Sequence, residues 1–382
     1  MAISRRNFLG MFGVAAGAAA ASTALPTIAL ARPEPARIAD VPQRAKRVAA
    51  NILLNSNENA YGQLPSVQAA MREALAAGNR YPFRTYDAFL DQVAEYNHVR
   101  PEQVVLGNGS SEILYMAAAA FTGPDRKLVA AHPTFESLGS YAKARGAQVV
   151  QVPLAADYSH DLEAMRGRID SSTGLVYICN PNNPTATLTP RNKIEDFMKS
   201  LPPNVMVLLD EAYHHFAVGA DGYTSFLEKP INDDRLIIAR TFSKVYGMAG
   251  LRMGYGVATP KVISQLKAYS AFDNANIVAL QAGVASLKDD AAMHTAVTRN
   301  ATDRAEFLKQ ATARGIKYIP SYTNFIMIET GKPVKQVIAN FQQRGIAIGR
   351  PFPPMDTYAR ISFGTPDQMT AYWKAWDEMA KA

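Results

Sequence analysis

Short, unbroken apolar runs recur along the chain, and glycine, proline or polar residues bound each of them. Runs of this kind are typical of strands that are buried on both faces of a sheet. We predict strands at residues 104–106, 127–131, 148–152, 174–179, 205–209, 236–239 and 253–257. Apolar residues at helical spacing predict helices among these runs, for example at 65–77. The alternation predicts an α/β fold with a largely parallel sheet.

Reactive side chains follow two of these runs. Asp210 closes the run at 205–209, and an aspartate at the end of a buried strand is costly unless a cation pairs with it. Lys244 comes shortly after the run at 236–239, where partial desolvation would lower its pKa toward that of a nucleophilic amine. An amine of this kind forms a Schiff base with an aldehyde.

Small, hydroxyl-bearing and cationic residues near these positions predict an anion site. A glycine turn with two serines opens a helix after the strand at 104–106, where backbone N–H groups and the helix dipole favour negative charge. The residues of the predicted site are Gly109, Ser110, Ser111, Thr241, Ser243 and Arg252. An aldehyde on Lys244 together with a bound phosphate indicates pyridoxal 5'-phosphate as the cofactor.

The segment that contains Lys244 carries a family resemblance. Ser243-Lys244, followed by Gly250-Leu251-Arg252 and Gly254-Tyr255, resembles the cofactor-lysine segment of fold-type I pyridoxal-phosphate aminotransferases, and it is most similar to the histidinol-phosphate aminotransferase branch. The resemblance implies a large domain with a mostly parallel seven-stranded sheet flanked by helices, and a smaller α+β domain. It also implies that Lys244 is the catalytic acid–base of a transamination.

The resemblance assigns further residues to the cofactor. Asp210 would pair with the protonated ring nitrogen, and Asn183 and Tyr213 would donate to the phenolate oxygen of the ring. Phe135 would stack on the ring, where the family usually has a tyrosine. Tyr81 would reach across a homodimer interface to the phosphate bound by the neighbouring subunit.

Three residues are assigned to the substrate by the same resemblance. Arg360 would hold a substrate carboxylate or phosphate through paired hydrogen bonds. Asn324 and Asn59 lie in segments that line the substrate side of the site in the family. An amino acid, or an amino-alcohol phosphate, and a 2-oxo acid are therefore the expected substrates.

Composition excludes several other classes of protein. A net charge of +7 over 382 residues, with 19% charged residues, is ordinary for a globular enzyme and gives no nucleic-acid-binding patch. The single cysteine, Cys179, excludes an intrachain disulfide and a cysteine-based zinc cluster. His214 and His215 are adjacent and do not have the spacing of metal ligands. We therefore predict no metal site.

The first residues resemble a twin-arginine signal peptide. Arg5 and Arg6 precede an apolar stretch at 11–30, and Ala29-Leu30-Ala31 matches a cleavage site with small residues. We expect the twin-arginine machinery to export the enzyme to the periplasm, already folded around its cofactor. The expected organisation is a signal peptide at 1–31, an arm and part of the small domain at 32–80, a large cofactor domain at 81–280 and a small domain at 281–382.

Two alternatives remain open at the level of sequence. A decarboxylase or lyase similar to the threonine-phosphate decarboxylases would use the same lysine and aspartate on the same scaffold. An exported, two-lobed binding protein without catalysis would not need Lys244 at all. Export also argues against a role in histidine biosynthesis, because it would separate the enzyme from cytoplasmic intermediates.

Overall fold

The computed structural model describes residues 51–230, 233–271 and 273–381, which belong to one compact unit. The predicted signal peptide and residues 32–50 of the predicted arm lie outside the described residues. Within these ranges, no helix combines the length and the apolar composition that a membrane span requires.

Strands and helices alternate along most of the chain. The strands are β1 (Ile52–Leu54), β2 (Val104–Gly107), β3 (Lys127–His132), β4 (Val149–Pro153), β5 (Thr173–Cys179), β6 (Met206–Asp210), β7 (Leu236–Thr241), β8 (Gly254–Val257), β9 (Tyr318–Ile319), β10 (Phe325–Glu329), β11 (Ile346–Ile348) and β12 (Tyr358–Ser362). The α-helices are α1 (Pro65–Ala74), α2 (Phe83–Tyr96), α3 (Ser110–Phe121), α4 (Ser137–Ala144), α5 (Leu162–Arg166), α6 (Arg191–Lys199), α7 (His214–Ala217), α8 (Pro260–Lys267), α9 (Ile277–Lys288), α10 (Asp290–Ala313), α11 (Val334–Gln343) and α12 (Pro366–Ala380).

The central sheet has seven strands in the order β2-β8-β7-β6-β5-β3-β4. Six of them run parallel to one another, and β8 runs antiparallel to both of its neighbours, β2 and β7. All seven strands were predicted from the apolar runs, so the α/β fold with a mostly parallel sheet is confirmed. The carboxyl ends of the six parallel strands share one edge of the sheet, and β8 begins at that same edge.

Both faces of the central sheet are covered, which explains why its strands lack a polar alternation. One face packs residues such as Val129, Ile178 and Leu209 against α2, α6 and α9. The opposite face packs Tyr177, Leu208 and Ile237 against α3, α4 and α8. Successive side chains of each strand therefore enter two separate apolar cores.

A third apolar core forms around two small sheets. Strands β9, β10 and β12 are antiparallel, and β1 pairs in parallel with β11. Helices α10, α11 and α12 cover these strands with clustered aromatic residues, among them Phe307, Phe341, Tyr372 and Trp376. This arrangement agrees with a smaller α+β part of the chain. The domain boundaries predicted at residues 80/81 and 280/281 remain predictions.

A buried ion pair ties β7 to the residue that follows β6. Arg240 on β7 donates to the carboxylate of Glu211 through Nη2 at 2.9 Å and through Nε at 3.1 Å. Ser225 donates to the same carboxylate at 2.7 Å, and the backbone N–H of Phe226 donates to its other oxygen. Because each charge is matched and hydrogen-bonded, the pair fixes the end of β6, where Asp210 stands.

Candidate active site

A cavity of about 290 Å³ lies at the carboxyl edge of the central sheet. Ligands bind at this edge in open α/β sheets, because the loops after neighbouring parallel strands leave a crevice there. Most of the side chains predicted from the sequence line this one cavity. They are Ser110, Ser111, Phe135, Asn183, Asp210, Tyr213, Thr241, Ser243, Lys244, Arg252 and Arg360.

Lys244 projects into the cavity from the turn after β7. Its Nζ lies 3.5 Å from the carbonyl oxygen of Ser56 and 5.5 Å from the centre of the Tyr213 ring. Burial lowers the pKa of this amine to about 8, and the neighbouring charges of Arg360 and Arg252 act in the same direction. About a tenth of Lys244 is therefore uncharged and nucleophilic at pH 7, far more than for an ordinary lysine.

Asp210 is a buried carboxylate at the end of β6, with only 2% of its surface exposed. The hydroxyl of Tyr177 donates to its Oδ2 at 2.9 Å, and the backbone N–H of Ala212 donates to its Oδ1 at 3.1 Å. Within the part of the chain that the structure describes, no cationic side chain forms an ion pair with it. Burial raises the pKa of Asp210 to about 6, so the site would be stabilised by a cation that reaches this carboxylate.

An anion cradle forms where α3 begins. The first backbone N–H groups of this 12-residue helix have no partner within the helix, and Ser110 and Ser111 add hydroxyls to the same cavity wall. From the other side, the hydroxyls of Thr241 and Ser243 lie 2.9 Å apart. The guanidinium of Arg252 forms no ion pair with a carboxylate among the described residues. Hydroxyls, backbone N–H groups and a free cation together favour a phosphate.

Gly109 makes this cradle possible. Its φ of 75° lies in the left-handed region, which glycine adopts without strain. A Cβ at this position would also clash with the guanidinium of Arg252. The glycine therefore lets Arg252 approach the beginning of α3, although Gly109 itself does not line the cavity.

Asn183 and Tyr213 meet on the cavity wall, as predicted. The Asn183 amide donates to the Tyr213 hydroxyl at 3.5 Å, and Asn57 donates to the same hydroxyl at 3.0 Å. Burial raises the pKa of the Tyr213 phenol, so the hydroxyl keeps its proton and remains a donor. These groups can donate to one anionic oxygen in the cavity.

Two arginines stand on the side of the cavity formed by the smaller part of the chain. Arg360 on β12 is buried and donates to Asn183 Oδ1 at 2.6 Å and to the carbonyl of Asn55 at 2.8 Å. Its Nε is buried and has no hydrogen-bond partner among the described residues. Arg350 lies 4.3 Å and Arg360 4.7 Å from the ring of Phe352. Arg350 also pairs with Glu136 at 2.6 Å.

Besides Gly109, three residues predicted for the site do not line the cavity. Asn324 donates to the carbonyls of Asn57 and Glu58, and Asn59 donates to the carbonyl of Val245. Both amides hold backbone near the cavity, and their predicted contact with a substrate remains a prediction. Tyr81 is 74% exposed and stacks on Phe83. It does not line the cavity of its own chain, and its predicted role in a dimer remains a prediction.

The sequence did not single out several residues of this site. The cavity wall also contains Ser56, Asn57, Thr134, Cys179, Ala212, Arg350 and Phe352. Asn57 stands in the same asparagine-rich segment as Asn59, and the choice between the two amides required the tertiary structure. Tyr177, the partner of Asp210, reads from the sequence as an ordinary buried strand residue.

Comparison with known proteins identifies the family. The family description "Aminotransferase class I and II" matches residues 49–375. The chain belongs to this family. Among curated proteins, the histidinol-phosphate aminotransferase of Moorella thermoacetica is 35% identical over 339 residues, which cover 88% of this chain and 87% of that protein. The enzyme of the same name from Geobacillus thermodenitrificans is 36% identical over 323 residues, with coverage of 83% and 87%.

A solved structure agrees with the same assignment. The crystal structure of histidinol-phosphate aminotransferase from Sinorhizobium meliloti in complex with pyridoxal-5'-phosphate matches with a TM-score of 0.80 and 26% identity. The match covers 86% of this chain and 90% of that chain. The fold-type I architecture predicted from the sequence is therefore confirmed for this aminotransferase.

The residues of the cavity fit pyridoxal 5'-phosphate by their chemistry. The cradle at the start of α3 offers the donors that a phosphate needs. Asp210 offers a buried carboxylate that lacks a cation, which is what a protonated ring nitrogen requires. Lys244 offers an amine of lowered pKa to an aldehyde, and Asn183 and Tyr213 offer donors to a phenolate oxygen. Each observation is independent of the family comparison.

The raised pKa of Asp210 predicts how the stability of the cofactor-free aminotransferase depends on pH. The folded protein binds this proton more tightly than the unfolded chain does, so ionisation destabilises the fold as pH rises from about 4 to about 6. In Asp210→Asn this loss is absent. From the tenfold-to-1.4-kcal/mol relation, we expect the wild-type free energy of unfolding to fall by about 3 kcal/mol relative to the variant across this range. Urea unfolding at several pH values measures the difference, and a constant difference would contradict the burial of an ionised carboxylate.

Proposed function

We propose that this aminotransferase uses pyridoxal 5'-phosphate, bound through Lys244, to move an amino group between an anionic amine and a 2-oxo acid. The observation that supports this most strongly is the presence of Lys244 and Asp210 in one cavity, the amine with a lowered pKa and the carboxylate with a raised pKa. Pairs of groups whose environments move their pKa values in opposite directions are a mark of functional sites.

Each polar group of the cavity then has a distinct task. When bound, the cofactor supplies an electron-withdrawing ring that stabilises the negative charge developing at the α-carbon of the substrate. Asp210 keeps the ring nitrogen protonated, and Asn183 and Tyr213 donate to the ring oxygen. The cradle at α3 anchors the phosphate, and Phe135 presents an aromatic face to the ring.

Lys244 carries the proton transfer. An amine with a pKa of about 8 would be able to accept a proton from the α-carbon of the substrate at Nζ and to donate it again. The Ser56 carbonyl and the Tyr213 ring lie close enough to Nζ to keep the amine within the cavity. The same side chain therefore binds the cofactor and acts as the acid–base.

The charge of the cavity favours substrates with an anionic group. Lys244, Arg252, Arg350 and Arg360 are cationic side chains of the wall, and Asp210 is its carboxylate. Arg360, whose side chain lines the cavity, is suited to a substrate carboxylate or phosphate. The relatives are named for histidinol phosphate, a phosphate-bearing amine, and this chemical class agrees with the charges. Amino acids and amino-alcohol phosphates are therefore the expected amino donors.

The function is tested by replacing Lys244. In Lys244→Ala we expect the visible absorbance of the cofactor-bound protein to change and amino transfer to fall by at least about a thousandfold, because the acid–base and the covalent attachment are both lost. Lys288→Ala, a change of an exposed lysine in α9, serves as the control and should retain activity. Donors for the assay are amino acids and histidinol phosphate, each with a panel of 2-oxo acids.

The same assay separates transamination from decarboxylation. Amino transfer without release of carbon dioxide agrees with the proposal. Release of carbon dioxide without amino transfer would assign the protein to the decarboxylase or lyase class instead. Absence of any cofactor absorbance in the wild-type protein would refute both enzymatic functions.

We also propose a homodimer in which Tyr81 completes the phosphate site of the neighbouring subunit. The exposure of Tyr81 and the stacked Phe83, which is 58% exposed, supports a contact surface at this position. A surface aromatic pair of this size is more stable when a partner covers it.

Mixed dimers test this arrangement. If Tyr81 acts in the partner's site, mixing Lys244→Ala subunits with Tyr81→Ala subunits generates one site with both native residues. We expect the mixture to recover a measurable fraction of wild-type activity, while each variant alone remains impaired. A mixture that recovers no activity, although light scattering shows that subunits exchange, would place Tyr81 outside the partner's site.

Export is the remaining part of the proposal. The paired arginines Arg5 and Arg6, the apolar stretch and the Ala29-Leu30-Ala31 site support a twin-arginine signal peptide and a periplasmic location. We expect the mature protein to begin at Arg32 and to be found in the periplasmic fraction, as mass spectrometry of the intact protein would measure. Arg5→Lys combined with Arg6→Lys should retain the precursor in the cytoplasm. An intact N-terminus on active cytoplasmic protein would refute export.

A further inference from the structure

Tyr177 holds the Asp210 carboxylate from the neighbouring strand. On the parallel strands β5 and β6, Tyr177 lies opposite Leu208 and Cys179 lies opposite Asp210. Because side chains two residues apart project to the same face, Tyr177 and Asp210 share one face of the sheet. The Tyr177 hydroxyl donates to Asp210 Oδ2 at 2.9 Å, and the two residues are only 1% and 2% exposed.

Each oxygen of the Asp210 carboxylate therefore accepts a hydrogen bond, and the two donors come from different elements of the fold. Tyr177 reaches Oδ2 from β5, and the Ala212 N–H reaches Oδ1 from the turn after β6. Two fixed donors leave the carboxylate little freedom to rotate. Burial raises the pKa of the Tyr177 phenol well above its ordinary value, so the hydroxyl remains a donor across the range in which enzymes work.

This hydrogen bond also opposes the effect of burial on the carboxylate. Burial raises the pKa of Asp210, whereas the bonds from Tyr177 and Ala212 favour its ionised form. Lys244, from the turn after β7, acts in the same direction as these bonds, and Glu211 opposes them. The thiol of Cys179 on β5 and the phenol of Tyr213 also face this carboxylate, and both are neutral because burial raises the pKa of each.

We propose that Tyr177 is a positioning residue for the cofactor: its hydroxyl keeps Asp210 ionised and oriented toward the ring nitrogen, although Tyr177 does not line the cavity. This inference rests on the proposed function, because it needs a bound ring whose nitrogen is protonated. For the contact with the ring nitrogen the sequence predicted Asp210 alone, and the structure adds Tyr177 on β5 as the residue that positions it.

The test measures cofactor binding rather than catalysis. Two probes are titrated into the cofactor-free protein: pyridoxal 5'-phosphate, and an analogue in which carbon replaces the ring nitrogen. In Tyr177→Phe we expect the Kd for pyridoxal 5'-phosphate at about pH 8 to rise about tenfold or more, the typical value of a hydrogen bond to a charged group. The Kd for the analogue should stay unchanged, because its ring offers Asp210 no cation.

A matched control exists in the smaller part of the chain. Tyr372 on α12 is as deeply buried as Tyr177, and its hydroxyl has no hydrogen-bond partner among the residues that the structure describes. Tyr372→Phe makes the same chemical change away from the cavity and should leave both dissociation constants at their wild-type values.

The pH profile gives a second measurement with a defined sign. Cofactor affinity should fall as pH falls through the pKa of Asp210, because protonation removes the negative charge. Without the Tyr177 hydroxyl this pKa rises, so the fall in Tyr177→Phe should begin at a higher pH than in the wild type. Fluorotyrosine at position 177 is a stronger donor of similar shape, so the fall in cofactor affinity should begin at a lower pH than in the wild type. This variant replaces Tyr177→Phe if Tyr177→Phe folds poorly.

Other outcomes would overturn the inference. Equal weakening for both probes would mean that Tyr177 only supports the packing of β5. An unchanged Kd for pyridoxal 5'-phosphate and an unchanged pH profile would mean that Asp210 does not depend on it. In either case an active wild-type aminotransferase would leave the proposed function intact, whereas a wild-type protein that binds neither probe would refute the proposed function itself.

Discussion

The buried carboxylate of Asp210 is the constraint on which the site depends. An ionised aspartate at the end of a strand that is covered on both faces is unfavourable, and nothing in the described part of the chain offers it an ion pair. The fold surrounds it with donors instead: a phenol from β5 and a backbone N–H from the following turn. These hydrogen bonds reduce the free-energy cost of burying the charged carboxylate but do not remove it, because the pKa of Asp210 remains raised. A cation beside Asp210 would therefore stabilise the site. In the proposed function, a cofactor with a protonated ring nitrogen would supply that cation.

The rest of the architecture places complementary groups around this carboxylate. Parallel strands bring the turns after β2, β5, β6 and β7 to one edge of the sheet. The turn after β7 delivers Lys244, and the antiparallel β8 starts at that edge and so places Arg252 near the beginning of α3. The ion pair between Arg240 on β7 and Glu211, the residue after β6, stabilises the end of β6. Each group keeps its position because a strand end, rather than a long loop, carries it.

Local sequence was sufficient to predict the central sheet, because buried parallel strands need continuous apolar runs. It also predicted the side chains at the strand ends, since lysine, aspartate and a glycine–serine turn stand directly after those runs. It was less informative where a residue acts through a distant partner. Asn324 and Asn59 read as substrate contacts, but their amides hold backbone carbonyls at segments far away in sequence. Tyr177 read as core, because nothing in its local pattern indicates an aspartate on the neighbouring strand.

By itself the sequence determined the fold class and the cofactor and predicted Lys244 as the cofactor lysine, since these follow from apolar periodicity and from short motifs that act through their own backbone. Tertiary structure alone decided which hydrogen bond holds Asp210, which asparagine reaches Tyr213, and that Arg350 and Arg360 flank one phenylalanine. The physical reason is the range of the interactions. Burial and backbone conformation are encoded within a few residues, whereas pairing of side chains depends on strand order and register, which no local stretch of the chain contains.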